Sequence, residues 1–225
     1  MMLIILNILA IAYYDSGDYK LAIENFNHAY EIFKENDTKG DALALCLNNL
    51  GNSYKMGGEA NKSMGFFEQA LKIYQDLYKN QNHPAIALTL NNIGSACDLA
   101  DDGREKQAIE YFKKALDMFN AVYKEANHET KALVLNNMGL AYRDLHDYKN
   151  AQESFEKSME MYKALYGPSN KDVAKVLNNI GLVFDESGQD KKAIEYINNA
   201  LAMYKEIYGK NTPNPAVAQC YYNSG

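Results

Sequence analysis

Histidines and cysteines are the residues most able to do chemistry, and here neither set is arranged for it. His28, His83, His128 and His146 never pair at metal-ligand spacing, and His83 and His128 fall at equivalent loop positions, which suits capping better than catalysis. Cys46, Cys97 and Cys220 are odd in number, far apart and without a Cys-x-x-Cys pair. Neither a disulfide framework nor a zinc knuckle follows from them, and a reducing, cytoplasmic setting fits best. The stretch Gly57 to Ser63 looks superficially like a phosphate loop but lacks a glycine before Lys62. No HExxH, GxSxG or GxGxxG motif occurs. The expectation is a non-enzyme with no catalytic residue, no cofactor and no metal.

The chemistry that does recur is that of paired side-chain amides. Leu-Asn-Asn-apolar-Gly appears at Leu47–Gly51, Leu90–Gly94, Leu135–Gly139 and Leu177–Gly181, with glycine spacings of 43, 45 and 42 residues. An amide both donates and accepts, so a row of them can satisfy the backbone of an extended peptide without demanding a sequence.

Elements that position such a row follow from the same register. Twelve residues after the glycine comes a small residue, four later an aromatic or Ile, three later another small residue. These sets are Ser63, Phe67, Ala70; Ala151, Phe155, Ser158; and Ala193, Ile197, Ala200. In the third repeat the set is Ala108, Phe112, Ala115, displaced by two because Asp101-Asp102-Gly103 enlarges a turn. Running back by 41 puts Ala10 at the glycine position, with Tyr13, Ala22, Phe26 and Ala29 in register. Apolar residues at i, i+3, i+4 and i+7 make both stretches helical. Each repeat is therefore a helix A carrying the amides and a longer helix B. Gly139 and Ala151 are expected to face one another where the two cross. Turns with Gly17, Gly58, Gly103, His146 and Gly188 join A to B, and Asn-His-Pro or Gly-Pro-Ser loops return B to A.

The predicted organisation is one domain, 1–225, with repeats at about 1–40, 41–82, 83–127, 128–169 and 170–211, and a partial unit at 212–225 that stops inside a sixth helix A. A lone helix pair cannot cover its apolar stripe, so repeats must stack. The first helix carries Ile4, Ile8 and Ile11 where later repeats have polar residues, as though a further repeat or a partner should cover them. The chain is read as a fragment of a longer array or as a protein whose ends associate.

Composition agrees with a folded, acidic chain. It has 47% hydrophobic and 23% charged residues among 225, and a net charge of −6, which argues against a nucleic-acid backbone as main partner. The apolar opening Met1–Ala12 has no basic n-region and is too short for a membrane span, so no membrane partner is expected.

The pattern resembles the tetratricopeptide repeat. Leu47, Leu90, Leu135 and Leu177 stand at that family's leading aromatic position, while Leu50-Gly51-Tyr54, Met138-Gly139-Tyr142 and the small-aromatic-small sets match its signature. The 42-residue spacing, the tyrosines ending helix B (Tyr78, Tyr123, Tyr166, Tyr208) and the string His83 to Asn92 are similar to the kinesin light chain type. The resemblance implies a right-handed, all-α solenoid of antiparallel helix pairs, five repeats and the start of a sixth. It also implies a non-enzymatic scaffold that binds an extended peptide or partner helix in a concave groove lined by helix A. The alternative is the peptide-sensing region of a larger regulator.

On that scheme the peptide-binding residues are Asn48, Asn52, Lys55, Asn91, Ser95, Asn136, Leu140, Arg143, Asn178 and Leu182, with Asp98 and Asp185 at the remaining positions. The first asparagine of each pair is assigned to the ligand and the second (Asn49, Asn92, Asn137, Asn179) to a ladder between helices. The competing reading makes both a structural ladder. Kinesin light chains bind peptides with a Trp flanked by acids through a basic groove. This chain departs from that pattern, because Lys55, Arg143 and Lys175 are offset by Asp98, Asp144, Asp185 and Glu186. Acids at the A-to-B turns (Asp101, Asp102, Asp147, Glu186, Asp190) and lysines at the opposite edge (Lys79, Lys124, Lys171, Lys210) read as solvated surface.

Overall fold

The computed structural model describes residues 2–36, 40–100, 103–124, 126–209 and 214–223. The turn residues Asp101 and Asp102, Lys210 of the lysine edge and the chain-end glycine of the sixth repeat lie outside them. Among the described residues there are helices and no strands: α1 (Met2–Asp15), α2 (Tyr19–Glu35), α3 (Asp41–Met56), α4 (Ala60–Leu77), α5 (Pro84–Asp98), α6 (Glu105–Tyr123), α7 (Glu129–Asp144), α8 (Tyr148–Tyr166), α9 (Lys171–Glu186), α10 (Asp190–Tyr208) and α11 (Pro215–Asn223). The chain divides into two compact units, Met1–Val122 and Tyr123–Gly225.

Helix starts are fixed by side chains that accept from otherwise unsatisfied backbone N–H groups. Asp18 accepts from Leu21 at 3.1 Å, Asp147 from Asn150 at 3.3 Å, and Asn170 from both Asp172 and Val173 at 3.0 Å. His83 and His128 do the same through Nδ1, from Ala85 at 3.2 Å and Thr130 at 3.3 Å. Each imidazole also lies flat against the tyrosine that closes the preceding helix B, with centroids 3.4 Å apart for Tyr78–His83 and 3.8 Å for Tyr123–His128. The A-to-B turns repeat one left-handed residue: Gly17, Gly58, Gly103 and Gly188 have φ of +83°, +83°, +80° and +74°, and His146 stands in the same place at +57°.

Within each pair, α1–α2, α3–α4, α7–α8 and α9–α10, helix A lies along helix B at its conserved-register glycine or alanine. A Cβ on Gly139 would stand 2.7 Å from the Phe155 ring, on Gly51 2.6 Å from Phe67, and on Gly94 2.7 Å from Phe112. The expected facing of Gly139 and Ala151 gains a second participant: the atoms nearest the added methyl belong to Phe155, and at the equivalent crossing a Cβ on Gly181 would lie 2.5 Å from Ile197 and 3.3 Å from the Ala193 carbonyl. The glycine makes room for the aromatic one turn further on, and Ala151, itself fully buried, lets the helices close beside it. In the first unit Ala10, Ala22, Phe26, Ala29, Phe33, Cys46 and Leu50 form a continuous core that joins two successive repeats. In the second, Ala132, Ala151, Phe155, Val173, Val176 and Ile180 do the same. Burial of this kind is worth about 25 cal/mol per Å² of apolar surface removed from water.

Candidate functional site

Because Gly51, Gly94, Gly139 and Gly181 turn one face of each helix A toward its own helix B, the residues on its other faces meet the preceding helix B, the neighbouring helix A or open surface. The asparagine pairs occupy both positions. Asn48 is buried and donates through Nδ2 to Thr89 Oγ1 of the next repeat at 2.9 Å; Thr89 in turn donates to the Ala85 carbonyl at 2.8 Å. Asn136 is 2% exposed and accepts at Oδ1 from Asn179 Nδ2, 2.9 Å away and 43 residues on. Asn178, also buried, accepts from Asn223 Nδ2 at 3.1 Å and from the Cys220 thiol at 3.5 Å. Asn91 is 2% exposed and donates to Asn92 at 3.4 Å.

This corrects the division of labour expected for the pairs. Asn48, Asn136 and Asn178 each bond to the adjoining repeat through one side of the amide, Nδ2 for Asn48 and Oδ1 for the other two, while the Asn48 Oδ1 is buried without a partner among the described residues. A buried amide group left unpaired costs about 1–3 kcal/mol. The second asparagine is the more variable one. Asn49 and Asn137 are half-buried, whereas Asn92 and Asn179 are buried beside their neighbours.

The remaining groove candidates all retain partial exposure: Asn52, Lys55 and Ser95 in the first unit, Leu140, Arg143 and Leu182 in the second. In the first unit Asn49 and Asn52 line a cavity of about 230 Å³ together with Ile11, Tyr14 and Phe26. The sequence reading missed this cavity, although its signal was present. Ile11 and Tyr14 lie one and four residues after Ala10, the offsets that yield Asn52 and Lys55 after Gly51. One turn beyond Asn52, burial pushes the Lys55 ammonium down from its ordinary 10.5 to about 8. In the second unit Arg143 is held by Asp144 at 2.8 Å and lies 3.5 Å from Glu186, whose carboxyl is raised by burial against the opposing pull of that guanidinium. Cys46, Cys97 and Cys220 are buried and form no disulfide; burial pushes the Cys46 thiol up to about 12 and raises Cys220, so neither of these two is a ready nucleophile. No group of three metal-ligating side chains forms among the described residues, and no described helix is long and apolar enough to cross a membrane.

Helix pairs packed on a small-residue crossing, tied to the next pair by amide bonds, with a half-open amide surface along the first helices, define a repeat module of the protein-interaction class. The family model described as "Tetratricopeptide repeat" matches residues 1–76 and 130–206, and a second of the same description matches 87–121. The chain belongs to the tetratricopeptide repeat family, and its fold is an α-solenoid of helix pairs. Among solved structures it is similar to BtubC (BKLC) from P. vanneervenii, at 25% identity and TM-score 0.73, over 93% of this chain and 82% of that one. A putative kinesin light chain from Podosopora anserina with nearly identical TPR-like repeats shares the fold at 16% identity and TM-score 0.69, over 90% and 94%. The Rap protein solved in complex with Competence and Sporulation Factor shares it at 17% identity and TM-score 0.75; this chain covers 63% of that one and is itself covered to 98%. No curated protein matches the chain.

Proposed function

We propose that this chain is a non-enzymatic scaffold that holds an extended peptide or a partner helix against the exposed face of its first helices. The cavity formed by Asn49, Asn52, Ile11, Tyr14 and Phe26 carries the reading, since it sets two partly open amides beside an apolar hollow of about 230 Å³, room for one large side chain. In the first unit a peptide backbone would meet Asn52 and the Lys55 cation beside that cavity; in the second unit, taken by itself, Leu140 and Leu182 offer apolar contacts beside the Arg143 cation. Asn48, Asn136 and Asn178 bond to the adjoining repeat as a ladder between helices, while Asn91 is buried and bonds to Asn92 on its own helix. The same repeat runs through both compact units, which supports reading 1–225 as one solenoid domain. Three buried cysteines, none in a disulfide, support a reducing, cytoplasmic setting.

A second reading, the peptide-sensing region of a larger regulator, is favoured by one observation. The Rap protein whose complex with a factor is known has the same fold, and this chain spans about two-thirds of it. A peptide array probed with the wild-type chain and with Asn52→Ala tests the main proposal. Binders should be recovered by the first and lost by the second at an unchanged melting temperature; binders recovered equally by both contradict it.

A further inference from the structure

The first helix is apolar on nearly every side. Leu3, Leu6, Ala10 and Tyr13 pack on α2, as the helical period requires. That leaves two further apolar stripes in the open: Met2, Ile5 and Leu9 at 66%, 51% and 42% exposure, and Ile4, Ile8 and Ile11 at 65%, 61% and 45%. A helix that is hydrophobic all round belongs in an interior.

Internal comparison shows what the first stripe is shaped for. The position of Ile5 recurs as Cys46, Thr89, Val134, Val176 and Cys220, each 0–1% exposed. The position of Leu9 recurs as Leu50, Ile93, Met138 and Ile180; Met138 is half-buried and the other three are 0–1% exposed. In the first unit, Cys46 and Leu50 are buried in the core they share with Phe26, Ala29 and Phe33 of the preceding helix B. Ile5 and Leu9 thus present to the outside the same surface that α3 buries against another helix. The second stripe departs from the repeat, since Ile8 and Ile11 stand where α3 has Asn49 and Asn52.

We propose that this face is an interface between two copies of the chain, with α1 of one copy packed on α1 of the other about a two-fold axis. Three features favour a second copy as the occupant. From Met2 to Tyr14 there is no charged side chain, so like faces meet without repulsion. The two stripes together expose on the order of 600 Å² of apolar surface, the upper end for a monomer's largest patch. Doubled, this is roughly 1,200 Å², the lower bound for a stable interface. The inference does not depend on whether the groove binds peptide.

Sedimentation velocity on the intact chain, across micromolar to near-millimolar concentration, tests it. The expected result is a monomer–dimer equilibrium that stops at the dimer. Ile5→Glu should weaken association more than about tenfold. Ile8→Asn, which installs the residue that later repeats carry and is expected to fold, should weaken it in the same direction. Circular dichroism melts of both variants report on folding separately. A wild-type monomer at every concentration overturns the proposal, as does a dimer that survives both substitutions. Species that grow past the dimer would assign the face to head-to-tail assembly, and uptake by neutral lipid vesicles without dimerisation would assign it to lipid; either result overturns the two-fold pairing.

Discussion

Asn136 and Asn179, 43 residues apart in sequence, share a hydrogen bond of 2.9 Å between successive first helices. Both are buried, at 2% and 8% exposure, so the bond replaces water that neither amide can reach. Asn136→Ala strands a buried Asn179 donor and should destabilise the second unit by about 1–3 kcal/mol in a urea titration. Asn52→Ala, on a half-open residue, should change stability by less than about 0.5 kcal/mol. Equal effects from the two substitutions would contradict the separation of ladder from surface.

Gly139→Ala is expected to destabilise despite alanine's better helix propensity, worth about 1 kcal/mol. The added methyl would lie 2.7 Å from the Phe155 ring, and overpacking of this kind costs about 1–3 kcal/mol. Gly139→Ala combined with Phe155→Leu should recover part of the loss, and a denaturation series on the single and double variants measures the coupling.

Lys55 gives a pH signature. Its folded-state value is lowered to about 8 from 10.5, so between those values the unfolded chain binds the extra proton and stability rises with pH. Below about pH 8 the lysine is charged in both states and the burial penalty is present in full. Lys55→Met should therefore stabilise the protein at pH 7 by on the order of 2 kcal/mol and flatten the rise between pH 8 and 10. Tyrosines act in the opposite sense. Tyr78, whose hydroxyl donates to Asp41 at 2.6 Å, is pushed up to about 12, so its contribution is complete below pH 10 and lost as pH climbs through 12. Chemical denaturation at pH 7, 8, 9 and 10 for wild type and variant checks the lysine's sign, and wild type at pH 10, 11 and 12 checks the tyrosine's.

His146 occupies a left-handed backbone position that four other repeats fill with glycine. A side chain at positive φ carries strain that glycine lacks. His146→Gly should raise stability by up to about 1 kcal/mol, readable as a later urea midpoint at unchanged slope.

Local rules made most of the fold legible. The spacing of Gly51, Gly94, Gly139 and Gly181, the small-aromatic-small sets and the turn glycines placed the helix pairs and their crossings, because each depends on a period or a backbone angle that one sequence displays. The side of the helix on which an amide lands was harder to read. Asn48 and Asn49 are 100° apart on α3, and deciding which meets α5 requires the angle at which repeats stack, which no local pattern carries. The partner of Asn48 is Thr89, a residue type that hides among Cys46, Val134 and Val176 at its register position. The cavity at Ile11 and Tyr14 was legible in principle. The amide pattern does not mark it, because the first repeat carries Ile8 and Ile11 where α3 has Asn49 and Asn52.

The central claim is that the exposed face of the first helices receives another chain. Amide chemical-shift mapping with a peptide recovered from the array tests it most directly. The account predicts shifts concentrated at Asn49 and Asn52 beside the cavity of the first unit, with the outer faces of the second helices α4, α6, α8 and α10 silent. Shifts gathered on those second helices, with the first helices unmoved, would contradict it.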